Sequence, residues 1–165
     1  MENDEEKINI QNIFENALKD PELFSTIDME HLFDTIDNET GDYLVNKTMK
    51  SVTNDIFNAV NRLRITDEKK EEYCRKLTGY LHVDEIRELR KGKYIRWIRE
   101  ESHDKITSGA IIVNIKFLKD GTYIVCKNQN GRFMQVKFDT CMIFQKLTVE
   151  ENVILMAYEY LDKKT

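Results

Sequence analysis

Residues 110–139 read AIIVNIKFLKDGTYIVCKNQNGRFMQVKFD, and two glycine turns divide this stretch into strands. Asp120-Gly121 and Asn130-Gly131 each lie between runs of alternating apolar residues, which is the strongest short-range signal for a β-hairpin. The sequence therefore predicts a meander of three strands, which cover residues 110–118, 123–128 and 132–139.

The apolar pattern also predicts the register of each hairpin. A two-residue turn at Asp120-Gly121 places Phe117 opposite Ile124, which makes one face of the first hairpin apolar. At the second hairpin, a two-residue turn would bring polar residues onto that face. We therefore predict a three-residue loop with Gly131 in the left-handed conformation of a G1 bulge. The face then holds Ile111, Val113, Ile115, Phe117, Ile124, Cys126, Met134, Val136 and Phe138.

Two further strands are predicted beside the meander. Residues 94–99 form a first strand with Ile95 and Trp97 on one side, and residues 141–147 form a fifth. A longer loop over residues 100–108 follows the first strand, and closure would remove the exposed edges of an open five-stranded sheet. In strand order and loop lengths the pattern resembles an SH3-like barrel of the Tudor type, which implies a small closed or half-closed antiparallel β-barrel.

The chain before the β-barrel is predicted to be helical. Apolar residues recur at helical spacing over residues 10–18, in one or two short helices after Pro21, and in a long third helix over residues 40–64. Thr66 caps a fourth helix, which ends at Gly79 or His82, and a short fifth helix runs from Asp84 to Gly92. These patterns predict an N-terminal helical bundle and thus an α+β fold.

The long helix carries a heptad pattern. Its apolar residues alternate spacings of four and three, over fewer than three heptads, which is too short for an independent coiled coil. Two interpretations stay open: packing in the core of the chain, or the seam of a homodimer. The residues are Val45, Met49, Val52, Ile56, Ala59 and Leu63.

A last helix follows the β-barrel. Thr148 and Glu151 form the T-x-x-E pattern of a capping box ahead of an apolar run. Because this run is apolar on more than one side, we expect the helix to pack under both the barrel and the helical part, or against another chain.

Charge separates the two halves of the chain. Residues 1–60 hold fourteen acidic and four basic residues, a net charge of −10, so the other 105 residues carry +5 to give −5 overall. We expect an acidic helical region over residues 1–91 and a β-barrel with its C-terminal helix over residues 92–165. The start of the chain is too acidic for a signal peptide, and no apolar run approaches the ~18 residues of a membrane span. The sequence thus predicts a soluble intracellular protein without a membrane partner.

No pattern of catalytic or metal-binding residues is present in the sequence. Cys74, Cys126 and Cys141 are an odd number without CxxC spacing, and we interpret them as reduced buried thiols, with a disulfide or a zinc site as the alternative. The three histidines lack the spacing of metal ligands or of a catalytic triad. We expect no catalytic residue, no metal and no cofactor.

A basic strip is one candidate site. Basic side chains with Tyr94 and Trp97 between them suit a phosphate backbone and stacked bases. Pairing with the acidic N-terminal half, or with a protein partner, is the alternative. The strip consists of Arg87, Arg90, Lys91, Lys93, Arg96 and Arg99.

A Tudor-type barrel implies a second candidate site. Such a barrel would carry three or four aromatic residues around a cation-sized pocket at its loop ends. The candidates are Tyr94, Trp97, Tyr123 and Phe133. Core packing is the alternative role for Trp97.

Four phrases carry a second resemblance: residues 89–98 (LRKGKYIRWI), 126–128 (CKN), 131–133 (GRF) and 143–148 (IFQKLT), the last followed, after Val149, by Glu150 and Glu151. They look like small proteins encoded by large nucleocytoplasmic DNA viruses of protists. The resemblance implies a virus-encoded protein of the host cytoplasm, the nucleus or the virion, and it implies no activity. Together these patterns predict a non-enzymatic binding or scaffold protein that acts through protein–protein interaction. Nucleic-acid binding by the basic strip is the alternative.

Overall fold

The computed structural model of the protein describes Leu44 and residues 47–164, without the side chains of residues 161–164. The predicted helices before residue 44, and Val45 of the heptad pattern, lie outside the described residues. Three α-helices and seven β-strands make up the described part. The helices are α1 (Met49–Asn61), α2 (Asp67–Lys76) and α3 (Val149–Lys164). The strands are β1 (Tyr80–Val83), β2 (Tyr94–Arg99), β3 (Ser102–Ile106), β4 (Ala110–Leu118), β5 (Gly121–Lys127), β6 (Phe133–Lys137) and β7 (Cys141–Lys146).

The chain divides into two compact units. One is Val52–Lys146, which holds most of α1, all of α2 and the whole sheet. The other contains α3 and the start of α1. The division between residues 91 and 92 stays a prediction of the sequence. No helix in the described part of the chain is long and apolar enough to cross a membrane.

All strands form one antiparallel sheet in the order β1-β7-β2-β4-β5-β6, and β3 pairs with β2. The predicted α+β class with an antiparallel sheet is therefore confirmed. The strand pairings are those of an open seven-stranded sheet with β1 and β6 at its edges, and they do not include a closed five-stranded barrel.

The second hairpin has the predicted register. Val136 lies opposite Ile124, and Met134 lies opposite Cys126. Gly131 takes the left-handed conformation, with φ 77°, at the end of the three-residue loop. Met134 and Val136 thus face the core, as the bulged loop predicted.

The register of the first hairpin differs from the predicted register by two residues. Its turn is Lys119-Asp120, so that Ile115 rather than Phe117 lies opposite Ile124. Gly121 follows the turn with φ 141°, and a Cβ atom there would lie 2.6 Å from Oδ2 of Asp139. Because the difference is an even number of residues, Ile115 keeps its predicted face.

A β-bulge in β4 changes which residues face the core. The register between β4 and β5 shifts around Val113. Ala110 and Ile112 are buried, whereas Ile111 and Val113 are exposed, so the predicted inward positions of the latter two are wrong. The extra residue of a bulge reverses the alternation of the strand. The prediction for Phe117 is also wrong: it is 71% exposed, near the end of the hairpin.

Strand β2 contributes to a core on each side of the sheet. Ile95 and Trp97 belong to the inner core, and Ile98 belongs to the helix-side core, as the predicted alternation requires. The inner core consists of Val83, Leu89, Ile95, Trp97, Ala110, Ile112, Ile124, Cys126, Val136 and Ile143. The helix-side core consists of Ile56, Ala59, Val60, Leu63, Tyr73, Leu77, Tyr80, Ile98 and Phe144.

The helix-side core explains the heptad pattern of α1. Ile56, Ala59 and Leu63 pack there against β2 and β7, which leaves these residues unavailable for a dimer seam. Core packing, rather than a dimer seam, is the correct interpretation for them.

The predicted N-cap of α2 is confirmed. Thr66 accepts a hydrogen bond from the backbone N–H of Lys69 at 3.3 Å, and α2 begins directly after it.

Three elements between residues 77 and 108 differ from the prediction. Helix α2 ends at Lys76, and the residues predicted to extend it form β1. A 3-10 turn over Ile86–Glu88 replaces the predicted fifth helix. The buried side chain of Gln145 holds this segment, because it donates to the carbonyl of Glu88 at 3.0 Å and accepts from the backbone N–H of Arg90 at 2.9 Å. The predicted long loop contains β3.

Helix α3 begins with the predicted capping box. The backbone N–H of Thr148 donates to Oε1 of Glu151 at 3.0 Å, and the backbone N–H of Glu151 donates to Oγ1 of Thr148 at 3.2 Å. Two backbone donors that a helix start leaves unpaired are thus satisfied reciprocally. Packing of this helix under the barrel stays a prediction.

Candidate functional site

The structure divides the predicted basic strip. Arg96 and Arg99 are three residues apart on β2, so they lie on opposite faces of the strand. The Arg96 guanidinium donates to the carbonyl of Thr107 at 2.9 Å and to that of Lys76 at 3.1 Å. Arg96 therefore links β2 to the end of α2 and is occupied by structural hydrogen bonds.

The other residues of the strip lie before β2. Arg87 is exposed and pairs with Glu85, and Arg90 donates to the carbonyls of Arg87 and Leu89. Lys91 is exposed and Lys93 is half-buried. The six basic residues therefore do not form one continuous surface.

Arg99 borders a pocket of about 380 Å³ at the end of β2. The pocket is also lined by the carboxylates of Glu100 and Glu101, by Lys137 and by the thiol of Cys141. Burial raises the pKa of this thiol, so it stays protonated and weakly nucleophilic. Two cations and two carboxylates balance each other here, which gives the pocket no preference for a charged ligand.

The four predicted cage aromatics do not surround one pocket. Trp97 is buried in the inner core, so its alternative role is the correct one. Tyr94 packs on the helix-side core, and its hydroxyl donates to the carbonyl of Ser108 at 2.5 Å. Tyr123 and Phe133 lie elsewhere, on the outward side of β5 and β6.

That outward side is the most distinctive surface of the sheet. Its residues alternate with inner-core residues such as Ile124 and Val136, and the strand register arranges them in three rows across β4, β5 and β6. We call this surface the outer sheet face. The rows are Lys116–Tyr123–Lys137, Asn114–Val125–Gln135 and Ile111–Lys127–Phe133. None of the nine side chains is buried or belongs to the buried part of either core.

The outer sheet face is positively charged. Three lysines and no carboxylate are among its nine residues, and residues 110–137 as a whole hold five basic residues and one acidic residue. None of Lys116, Lys127 and Lys137 makes an ion pair with a residue in the described part of the chain. The Lys137 ammonium group nevertheless helps to lower the pKa of Asp120, so part of its charge is offset at that corner of the face.

Each aromatic ring on the face has a lysine beside it. The Lys127 Nζ atom lies 5.6 Å from the centre of the Phe133 ring, and the Lys137 Nζ atom lies 5.9 Å from that of Tyr123. These are cation–π distances. Phe133 is nevertheless 61% exposed, so much of the ring stays accessible to a ligand.

The carboxylates of Asp120 and Asp139 lie at the edge of the face, where Asp139 accepts a hydrogen bond from the backbone N–H of Thr122 at 3.3 Å. The Tyr123 hydroxyl donates to Oδ2 of Asp120 at 2.6 Å, which fixes the tyrosine ring. The same hydrogen bond lowers the pKa of Asp120 and raises the pKa of Tyr123. Asp120 is therefore ionised at neutral pH and reduces the positive potential at this corner.

A second exposed apolar site lies between α1 and α2. Phe57 is 59% exposed beside a groove of about 300 Å³, whose lining includes Val60, Lys70, Glu71 and Cys74. Burial raises the pKa of the Cys74 thiol, so a reactive thiolate is not expected there. The groove therefore offers an apolar surface for contact rather than a reactive group.

Sequence reasoning missed the outer sheet face, although the signal was present. The register that turned Val136 inward also turned Gln135 and Lys137 outward, and the same alternation applies to β5.

Within the described part of the chain, no group of three or more His, Cys, Asp or Glu residues could hold a metal ion. No protein-family model, curated protein or solved structure matches this chain.

Proposed function

We propose that this protein is a non-enzymatic binding protein and that its outer sheet face binds nucleic acid. The observation that carries the proposal is the placement of Lys127 beside Phe133 and of Lys137 beside Tyr123, on a face whose nine residues include three lysines. Unpaired lysines attract phosphates, and exposed rings stack on bases. This surface replaces the basic strip, whose Arg96 is bound to backbone carbonyls.

The charge contribution can be tested by fluorescence anisotropy with labelled mixed-sequence DNA and RNA at low salt. We expect binding that weakens steeply with salt, because each lysine that neutralises a phosphate releases counterions. The variant Lys116→Gln/Lys127→Gln/Lys137→Gln should bind at least about ten-fold more weakly, and its salt slope should fall by roughly 0.7 to 0.9 for each phosphate that the variant no longer neutralises.

A matched control distinguishes the two basic surfaces. Arg87→Gln/Lys91→Gln removes two exposed charges of the basic strip, and it should lower affinity much less than the lysine variant does, since neither residue is on the outer sheet face and Arg87 is already paired with Glu85. An absence of binding at low salt would reject the proposal. So would a decrease of affinity in the control variant as large as that in the lysine variant.

Protein–protein interaction is the second candidate function, and Phe57 favours it. A large exposed phenyl ring beside an apolar groove suits a self-complementary contact between two copies of the chain. Size-exclusion chromatography with light scattering should then show a dimer. The variant Phe57→Ser should shift it to monomer, whereas Asn58→Ala on the adjacent exposed position should not. A monomer at all concentrations would reject this candidate.

We also propose that β2, β4, β5, β6 and β7 curl into a half-closed SH3-like barrel. Two observations support this. The first and last of the five predicted strands, β2 and β7, are paired, and all five strands contribute to the inner core. Methyl NOEs between Val136 and Ile143, across the gap between β6 and β7, are expected, and their absence would contradict the proposal. A viral origin and an intracellular location stay predictions of the sequence.

A further inference from the structure

We infer that the outer sheet face selects single-stranded nucleic acid and stacks unpaired bases on Tyr123 and Phe133. This inference rests on the proposed function and deepens it, because it names the form of nucleic acid that the same surface takes. The juxtaposition that carries it is the pairing of each ring, the exposed Phe133 and the half-buried Tyr123, with a lysine on the neighbouring strand.

The arrangement of the pairs is symmetric about the centre of the β5–β6 hairpin. Tyr123 on β5 lies opposite Lys137 on β6, whereas on the other side of the Val125–Gln135 pair the lysine is on β5 and the ring is Phe133 on β6. Each ring thus has its own cation, and the two rings lie at diagonal corners. A chain that crosses the hairpin diagonally meets the same two chemical groups twice.

The spacing suits a flexible single strand. The two rings are four residues apart along the strand direction and one strand apart across it, so their α-carbons are separated by roughly 14 Å for a rise of about 3.4 Å per residue and a strand spacing of about 4.8 Å. Side chains stand perpendicular to the sheet, so both rings project from one surface. An extended single strand can place separate bases on both, with its phosphates at the adjacent lysines.

A duplex uses this surface poorly. Its bases are stacked inside the helix, and an aromatic ring gains stacking energy only from a base that is unpaired and exposed. The lysines alone would contact duplex phosphates, without a contribution from either ring. Exposure of Phe133 to water is unfavourable in the free protein, and stacking of a base on the ring would cover it.

The central row of the face adds polar groups. Gln135 is exposed, and Asn114 is half-buried on β4, where its Oδ1 accepts from the backbone N–H of Ile115 at 2.9 Å. The Gln135 amide can both donate and accept hydrogen bonds, as the edges of unpaired bases require, and the Asn114 amide can donate them. Residues that a stacked single strand would meet next are therefore able to contact base edges rather than only phosphates.

The experiment compares a labelled single strand of about a dozen nucleotides, within the range that small β-sheet modules bind, with a duplex of the same sequence. Anisotropy titrations use the full chain and three variants: Phe133→Leu, Tyr123→Leu and the triple lysine-to-glutamine variant. Phe133→Leu keeps an apolar side chain and all the lysines, and Val125→Thr in the central row is the matched control. Thermal unfolding confirms that each variant is folded.

We expect the single strand to bind at least about ten-fold more tightly than the duplex. Phe133→Leu should weaken single-strand binding by roughly five-fold or more, since base stacking on an aromatic ring is worth about 1–3 kcal/mol. Duplex binding by Phe133→Leu should stay within about two-fold of wild type. Single-strand binding by the Val125→Thr control should also stay within about two-fold.

The outcomes separate the inference from the proposed function. Equal affinity for both nucleic acids, or unchanged single-strand affinity in Phe133→Leu and Tyr123→Leu, would overturn the inference. In that case a large decrease of affinity in the triple lysine variant would still support nucleic-acid binding by charge. If the triple lysine variant also bound like wild type, the proposed function itself would fail.

Discussion

Tyr123 is held between two opposite charges: its ring centre lies 5.9 Å from the Lys137 ammonium nitrogen, and its hydroxyl donates to the Asp120 carboxylate at 2.6 Å. The carboxylate and the ammonium group act on an approaching anion in opposite directions. Asp120 is the one acidic residue in the span from residue 110 to residue 137. Its removal is therefore a direct test of the sign of the charge that the ligand carries.

The first prediction concerns Asp120→Asn. The asparagine oxygen can still accept the Tyr123 hydrogen bond, while the negative charge disappears. Nucleic-acid affinity at low salt should rise by roughly two- to five-fold, the range expected for a single exposed charge, and the gain should vanish at high salt. Asp55→Asn, at an exposed position of α1, serves as a control for net charge. Weaker binding in Asp120→Asn would show that the carboxylate helps to hold the ligand.

The second prediction concerns the buried amide of Gln145. In Gln145→Leu, the carbonyl of Glu88 and the backbone N–H of Arg90 lose their partner inside the protein. The free energy of unfolding should fall by roughly 2–4 kcal/mol, because each unsatisfied buried group costs about 1–3 kcal/mol. Gln135→Leu, at an exposed position of β6, should change it by less than about 0.5 kcal/mol. Urea unfolding measures both, and equal effects would contradict the prediction.

The third prediction uses two glycines with similar backbone conformations. Gly92 and Gly109 have φ 87° and 101°, but only at Gly109 would a Cβ atom meet other atoms, 2.6 Å from the carbonyl oxygen of Ile95 and 2.5 Å from the ring of Tyr94. Gly92→Ala should cost about 1–2 kcal/mol for backbone strain alone. Gly109→Ala should cost at least about 2 kcal/mol more, or prevent folding, because backbone atoms must move. Similar unfolding midpoints for the two variants would argue against the close contact.

Much of the sheet could be predicted because its turns have local chemistry. Gly131 and the alternation after it determined the register of β5 and β6, and β2 and β4 have the predicted bounds. The bulge around Val113 could not be predicted, because the run Ile111–Val113 is apolar in either alternation. Strands β1 and β3 are short and without alternation, and they form only because β7 and β2 offer partners.

Contacts between distant segments also limited what could be predicted of the candidate site. The basic strip looked continuous along the chain, but alternation on β2 separates Arg96 from Arg99, and the Arg96 guanidinium meets carbonyls from distant segments. Such long-range hydrogen bonds leave no local pattern in the sequence. The outer sheet face, by contrast, follows from strand register alone, so Lys137 and Phe133 could have been assigned to it once the bulged loop was predicted.

The last prediction concerns the pH dependence of stability. Glu151 is fully buried in the capping box of α3, and burial raises its pKa from 4.5 to about 7. The folded protein therefore holds a proton between these two pH values that the unfolded chain has released. The contribution of Glu151 to the free energy of unfolding is complete below the unfolded pKa and is lost as the pH rises through about 7. The loss amounts to roughly 3 kcal/mol, at 1.36 kcal/mol for each pH unit between the two pKa values.

Glu151→Gln keeps the acceptor for the Thr148 backbone N–H and removes the titration. Urea unfolding at pH 5 and pH 8 should show wild type losing stability relative to this variant as the pH rises, so that the variant is the more stable protein at pH 8. Glu150→Gln, one position earlier and only partly buried, should follow the wild-type curve. Parallel curves for wild type and Glu151→Gln would show that the Glu151 carboxyl titrates alike in the folded and unfolded chains.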